Sequence, residues 1–172
     1  AGVPSANRIS LLRDADGDGR AETKTAFLTG LASPFGMSLV GDDLYVANSA
    51  SVVRFPYTPG ATQITAAPDT VALLPAGTYN QHWTRNLLAD SAGTTLYIAI
   101  GSASNVGEHG LDEEVGRAAI WAYDVDTGAT RVYASGLRNP VGMAFEPTTG
   151  ALWTAVNERD ELGSDLVPDY MT

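Results

Sequence analysis

His82 stands in Gln81-His82-Trp83-Thr84-Arg85, and an imidazole that titrates near neutrality is the commonest general base. The Trp and Arg beside it suit a site that stacks on an aromatic anion and neutralises it. A lone histidine also serves structure, so the segment by itself leaves both roles open. His109, in the acidic stretch 108–114, is the other imidazole of the sequence. Arg138 and Asn139 lie in Gly-Leu-Arg-Asn-Pro-Val-Gly-Met (136–143), which echoes Gly-Leu-Ala-Ser-Pro-Phe-Gly-Met (30–37). The scaffold residues persist, and only the two between Leu and Pro become charged and polar. Scaffold alone does not call for that change, so a ligand role stands beside the simpler Asn-Pro turn with a surface Arg.

Two acidic segments have the composition of cation sites. Asp14, Asp16, Asp18 and Gly19 form D-x-D-x-D-G, the opening of a calcium loop in which alternating carboxylates face one centre and Gly makes the sharp turn. Glu22 falls at the ninth position of such a loop, but the twelfth, normally a bidentate Glu, is Thr25. The segment also joins strands rather than helices, so a calcium loop and a solvated acidic hairpin turn both remain. The second segment, Asn157-Glu158-Arg159-Asp160-Glu161, follows a strand. Its alternating charges suit either a solvated rim or a place that holds a metal and an anion together.

Composition narrows the partners. Ten Lys and Arg against twenty Asp and Glu give a net charge of -10 over 172 residues. That field repels nucleic acid and anionic membranes. An apolar fraction of 44% is enough for a core, and the length suits one domain. With no Cys, disulfides, a thiolate nucleophile and Cys-ligated metals are excluded. No apolar run reaches the roughly 18 residues that a spanning helix needs. The N-terminus lacks the charged-then-apolar pattern of a signal peptide.

The elements that must position these residues are strands. Short apolar or aromatic runs at 44–48, 51–57, 70–75, 96–101, 118–125 and 151–156 sit between Gly, Pro, Asp and Thr clusters. The best helical candidate, 111–119, contains Gly116 and three consecutive acids, Asp112, Glu113 and Glu114, so the chain reads as all-β. One pattern occurs three times, at 36–49, 86–102 and 142–157. Each copy is a short apolar strand, a polar turn, then Leu-aromatic and a second strand. The Leu-aromatic pairs begin at Leu44, Leu96 and Leu152, a period of about 50 residues, as in propeller blades. Two further strand candidates after each of the first two copies make four strands per repeat. The spacing predicts a half blade over 1–30, blades over 31–80 and 81–135, and a half blade over 136–172. A β-sandwich with accidental internal similarity is the competing architecture. About three blades cannot close a ring that takes about four to eight.

The segments HWTRNL (82–87), SGLRNPVGMAFEPTTGALW (135–153), VNERDELG (156–163) and LVPDYMT (166–172) resemble the L-sorbosone dehydrogenase branch of the soluble quinoprotein sugar dehydrogenases. So do 12–31 and 34–48, so the resemblance covers nearly the whole chain. It implies a six-bladed propeller that uses pyrroloquinoline quinone with calcium, in the periplasm or secreted, of which this chain supplies about half. It implies His82 as the base that takes the proton from a substrate hydroxyl while hydride passes to the quinone. It further implies Arg138 and Asn139 as the pair that polarises the quinone carbonyls, with Arg159 as a further contact. The 157–160 loop is similar to one whose backbone carbonyls hold the cofactor's calcium, here at Glu158 and Asp160. The family's usual Gly-Pro in that loop is Arg159-Asp160 in this sequence.

The expected function is therefore oxidation of an aldose or sugar aldehyde, sorbosone-like, by the full-length parent. The competing reading is a non-catalytic propeller that binds partners on the same scaffold. As a piece, the chain is expected to be inactive alone and to cover its exposed blade faces by self-association.

Overall fold

The computed structural model describes residues 5–163 and 166–172. The chain is all-β, as expected, and its strands pair antiparallel with their sequence neighbours. β1 (Ile9–Arg13) and β2 (Thr23–Leu28) form a hairpin. A four-stranded sheet follows, made of β3 (Met37–Val40), β4 (Asp43–Ala47), β5 (Ser51–Pro56) and β6 (Asp69–Leu73). The next contains β7 (Arg85–Ala89), β8 (Thr95–Ile100), β9 (Ala119–Asp124) and β10 (Thr130–Ser135). The last has β11 (Asn139–Phe145), β12 (Leu152–Asn157) and β13 (Tyr170–Met171). Four-stranded antiparallel sheets in sequence order, stacked face to face, are the blades of a propeller. Leu44, Leu96 and Leu152 each lie at the start of the second strand of a sheet.

Strand alternation explains the stacking, because successive side chains point to opposite faces. In β4, Tyr45 and Ala47 join Leu87, Leu96, Ile98 and Ile100 in the core between the two four-stranded sheets. Val46, one residue away, packs the other way with Phe27, Leu28, Val53 and Phe55 of the first interface. Likewise Ile98 faces one neighbour while Tyr97 packs on the smaller cluster of Ile120, Leu137 and Val156 beneath the last sheet. Each full sheet is thus apolar on both faces, as a blade must be.

The first strands of adjacent sheets approach closely at Gly36. A Cβ there would lie 2.5 Å from the Leu87 nitrogen and 2.8 Å from the Arg85 carbonyl oxygen. The Gly36 N–H donates to that carbonyl at 2.9 Å. Glycine is required at position 36 because backbone meets backbone there.

The stretch 111–119 contains no α-helix, as expected, only a 3-10 turn, Leu111–Glu114, which buries none of its residues. One detail differs from the sequence expectation. The last sheet gains a short third strand, β13, through Ala155↔Met171 and Val156↔Tyr170. A two-residue strand carries no alternation for a sequence to display. No helix among the described residues is long and apolar enough to cross a membrane.

Candidate functional site

Ser102 is the hinge of the site. It follows β8 and is buried. Its carbonyl oxygen lies 2.9 Å from His82 Nδ1, and its N–H donates to the Arg138 carbonyl at 2.8 Å. His82 precedes β7 and Arg138 precedes β11, so one residue ties two distant segments to the end of a third. Gly101, beside it, is wedged between the candidate side chains. A Cβ at this position would fall on Asn139 Oδ1 and lie 2.5 Å from His82 Cβ.

The His82 ring therefore has a defined tautomer. A carbonyl oxygen only accepts, so Nδ1 carries the proton and Nε2 keeps its lone pair. Burial holds the imidazole pKa below its ordinary 6.5, and the Arg138 charge adds to that, against the Ser102 hydrogen bond, Asp160 and Glu114. The ring is neutral at pH 7.

Arg138 belongs to the interior of the site and not to a surface turn; its side chain is 11% exposed. Nε donates to the Asn105 carbonyl at 2.8 Å, and Nη2 donates to Asn105 Oδ1 at 2.6 Å and to Asp160 Oδ2 at 2.9 Å. Nη1 donates to the carbonyls of Asn157 and Glu158. Asn105 closes the arrangement by accepting from the Asp160 N–H and donating to the Asp160 carbonyl. Asp169 fixes the start of the loop, accepting from Asn157 Nδ2 and the Glu158 N–H at 2.8 and 2.9 Å. The Glu158 N–H, then Asn157, hold its carboxyl below the usual range.

A cavity of about 450 Å³ opens beside this network, with Ser102, Leu111, Glu114, Arg138, Glu158 and Arg159 in its wall. His82 is not in that lining; it reaches the cavity through Ser102. Asn139 opens β11 with its Oδ1 buried and accepting from no described residue. An unpaired buried amide oxygen costs about 1–3 kcal/mol and is satisfied only by an N–H or O–H donor. Arg159 in the wall and the Arg138 charge beside it suit an anionic group, whereas the Asn139 oxygen only accepts and suits an N–H or O–H donor.

Calcium fits less well. The expectation that Glu158 and Asp160 offer carbonyls to an ion meets a different arrangement. The Glu158 oxygen accepts from Arg138 and the Asp160 oxygen from Asn105, so a guanidinium is the cation seated at this loop. In the hairpin turn between β1 and β2, Asp14, Asp16, Asp18 and Glu22 each bring one oxygen within 4.8 Å of the others. All four are exposed, and backbone N–H groups already use them. Asp14 accepts from Gly17 and Gly19, and Glu22 from Ala15. Thr25 turns away, its hydroxyl donating to the Thr62 carbonyl at 2.8 Å.

Arg85 does not neutralise an anion. It is fully buried, on the same face of β7 as Leu87, and donates to the carbonyls of Pro75, His82 and Thr84 and to Asn80 Oδ1. Burial, then neighbouring Arg117, lowers its pKa to about 10. Its place is beneath His82, anchoring that residue's backbone. Trp83 sets its edge against Phe35 at 6.4 Å, and His109 stacks on Tyr79 at 3.6 Å, so neither the indole nor the second imidazole adds to the base. Gly101, Ser102, Asn105 and Glu114 are the residues that sequence reasoning missed. Only Gly101, closing a Leu-aromatic strand, carried a signal that alignment of the repeats exposes.

The TrAA12-like family model matches residues 9–168. A pyrroloquinoline quinone-dependent sugar dehydrogenase of Hypocrea jecorina is 29% identical over 166 residues, 88% of this chain and 38% of that protein. The Trichoderma reesei enzyme of carbohydrate-active family AA12 is similar in structure. Its iodide structure has a TM-score of 0.73 at 25% identity, covering 90% of this chain and 41% of that one. Its calcium structure gives 0.74 at 24%, covering 91% and 42%. The pyrroloquinoline quinone domain of pyranose dehydrogenase from Coprinopsis cinerea gives 0.68 at 22%, covering 84% and 38%, a likeness of fold. The chain thus spans 38% to 42% of the length of these relatives.

Proposed function

Given that the chain belongs to the TrAA12-like family, we propose that it is part of a quinoprotein dehydrogenase that oxidises an aldose or sugar aldehyde, sorbosone-like in chemistry. The observation that carries this reading is the bond from His82 Nδ1 to the Ser102 carbonyl. It leaves Nε2 as a lone-pair acceptor on a neutral ring, the state in which an imidazole takes a proton from a hydroxyl. The hydroxyl belongs to the anomeric carbon of an aldose or to the hydrate of an aldehyde. As its proton settles on Nε2, the carbon-oxygen bond becomes a carbonyl. Pyrroloquinoline quinone, when bound, supplies the two-electron acceptor for the hydride that leaves that carbon. Arg138, Asn139 and Arg159 would hold it. Arg159 meets its anionic groups, and Arg138 adds its charge from a guanidinium whose N–H groups are already engaged. Asn139 offers an amide oxygen that awaits a donor. Ser102 keeps the base and the Arg138 backbone in fixed register, and Arg85 holds the His82 backbone from below.

The pH dependence tests the base. His82 acts only when neutral, and its pKa lies below 6.5. In the complete protein, kcat/KM is therefore expected to hold its plateau as pH falls through 6.5 and to drop only at lower pH. An acid limb centred above 6.5 contradicts a buried neutral His82 as the proton acceptor.

A further inference from the structure

We propose that Glu114 is a positioning residue whose carboxylate clamps the 102–104 turn and so aims the Ser102 carbonyl at His82 Nδ1. Its consequence for catalysis rests on the reading of His82 as the base, but its test does not.

Glu114 ends the 3-10 turn Leu111–Glu114, none of whose residues is buried. Core packing does not hold this turn, and Leu111 is 82% exposed. The Glu114 side chain instead reaches into a buried segment. Both of its oxygens accept from the Ala103 N–H, at 3.1 and 3.0 Å. Oε1 lies 2.8 Å from Ser102 Oγ and 3.3 Å from Ser104 Oγ. Ser102, Ala103 and Ser104 are 6%, 1% and 1% exposed. A carboxylate accepting from several donors in a poorly solvated place makes stronger hydrogen bonds than neutral partners do. The clamped segment then acts in both directions. The Ser102 carbonyl faces His82 and its N–H holds the Arg138 backbone. Asn105, next in line, holds the Arg138 guanidinium through its carbonyl and Oδ1. One carboxylate outside the strands thus organises the turn on which both candidate residues lean.

The neutral side chain of the same shape separates this role from bulk. In Glu114→Gln, one amide oxygen remains to accept while the amide nitrogen opposes the Ala103 N–H, so the clamp opens. The readout is the His82 tautomer, observed by nitrogen-15 NMR of the histidine-labelled full chain, with the His82 signals identified by their loss in His82→Asn. The native protein is expected to show Nδ1–H with a slowly exchanging proton. In Glu114→Gln the ratio of Nδ1–H to Nε2–H should fall by about tenfold, the worth of one hydrogen bond. A purely structural role for Glu114 would lower the melting temperature and leave the tautomer of the folded protein unchanged.

The charged groups around the ring, Arg138, Asp160 and Glu114, affect its total protonation. The tautomer ratio is therefore read at a pH where the ring is fully neutral. If Glu114→Gln does not fold, Ser102→Ala is read instead; it removes the hydroxyl tie and keeps the carbonyl, and a fall in the same direction is expected. An unchanged ratio in either folded variant overturns the proposal. His82→Ala with undiminished turnover would remove the base assignment while leaving this result standing, so the two failures are distinct.

Discussion

Replacing His82 by alanine in the complete protein is expected to lower sugar turnover by about 10²–10⁴-fold, the usual worth of a positioned general base. The bound quinone should be retained, because the groups proposed to hold it are Arg138, Asn139 and Arg159. The ring contributes one hydrogen bond to the fold, from Nδ1 to Ser102, and it is only half buried. Loss of that bond costs about 0.5–1.5 kcal/mol of stability, too little to unfold an ordinary domain. Steady-state turnover beside a cofactor titration therefore separates chemistry from folding. Near-normal turnover in the variant would take His82 out of the mechanism.

Gly101→Ala is expected to reduce turnover by about 10²-fold, although the methyl group touches no reacting atom. The added carbon would press on Asn139 Oδ1 on one side and His82 Cβ, 2.5 Å away, on the other. Gly101 is buried just after β8, between Asn139 at the start of β11 and His82 ahead of β7, so its backbone has little room to retreat. The base and the amide must part instead, and displacement of about 1 Å in a catalytic group costs on that order. Overpacking should also remove about 1–3 kcal/mol of stability. Denaturant midpoints measured with the kinetics would show this. A variant with lowered stability and full turnover would mean that the spacing of His82 and Asn139 does not govern the reaction.

What the sequence displayed was mainly what repeats. Apolar alternation and the Leu-aromatic pairs mark strands because each full sheet buries both faces, and β4 and β8 show it residue by residue. The Gly-Met of the echo marks the close approach at Gly36. His82 stood out as a candidate base and Arg138 as a departure from scaffold, and the structure brings them onto one residue, Ser102. Arg85 misled because charge in sequence suggests solvent or ligand, whereas backbone carbonyls and Asn80 engage the two Nη groups of this guanidinium inside the core, its Nε having no partner among the described residues. Glu114 was hidden for the opposite reason. It is the last of three consecutive acids in a stretch that resembles a solvated face, and its partners are a backbone N–H and two hydroxyls of residues without charge. Arg138 stood out in the sequence as a candidate, but its engagement with the 157–160 carbonyls did not, because carbonyls have no side-chain signature.

The central claim is that these residues serve a quinone that oxidises sugars, and cofactor titration tests it most directly. The complete protein, in calcium-containing buffer, is titrated with pyrroloquinoline quinone while the quinone absorbance is followed, and an aldose is then added. Saturable uptake, followed by loss of the quinone absorbance on addition of sugar, is the predicted result. Absence of uptake would contradict the account and leave a non-catalytic propeller that binds other partners through the same scaffold.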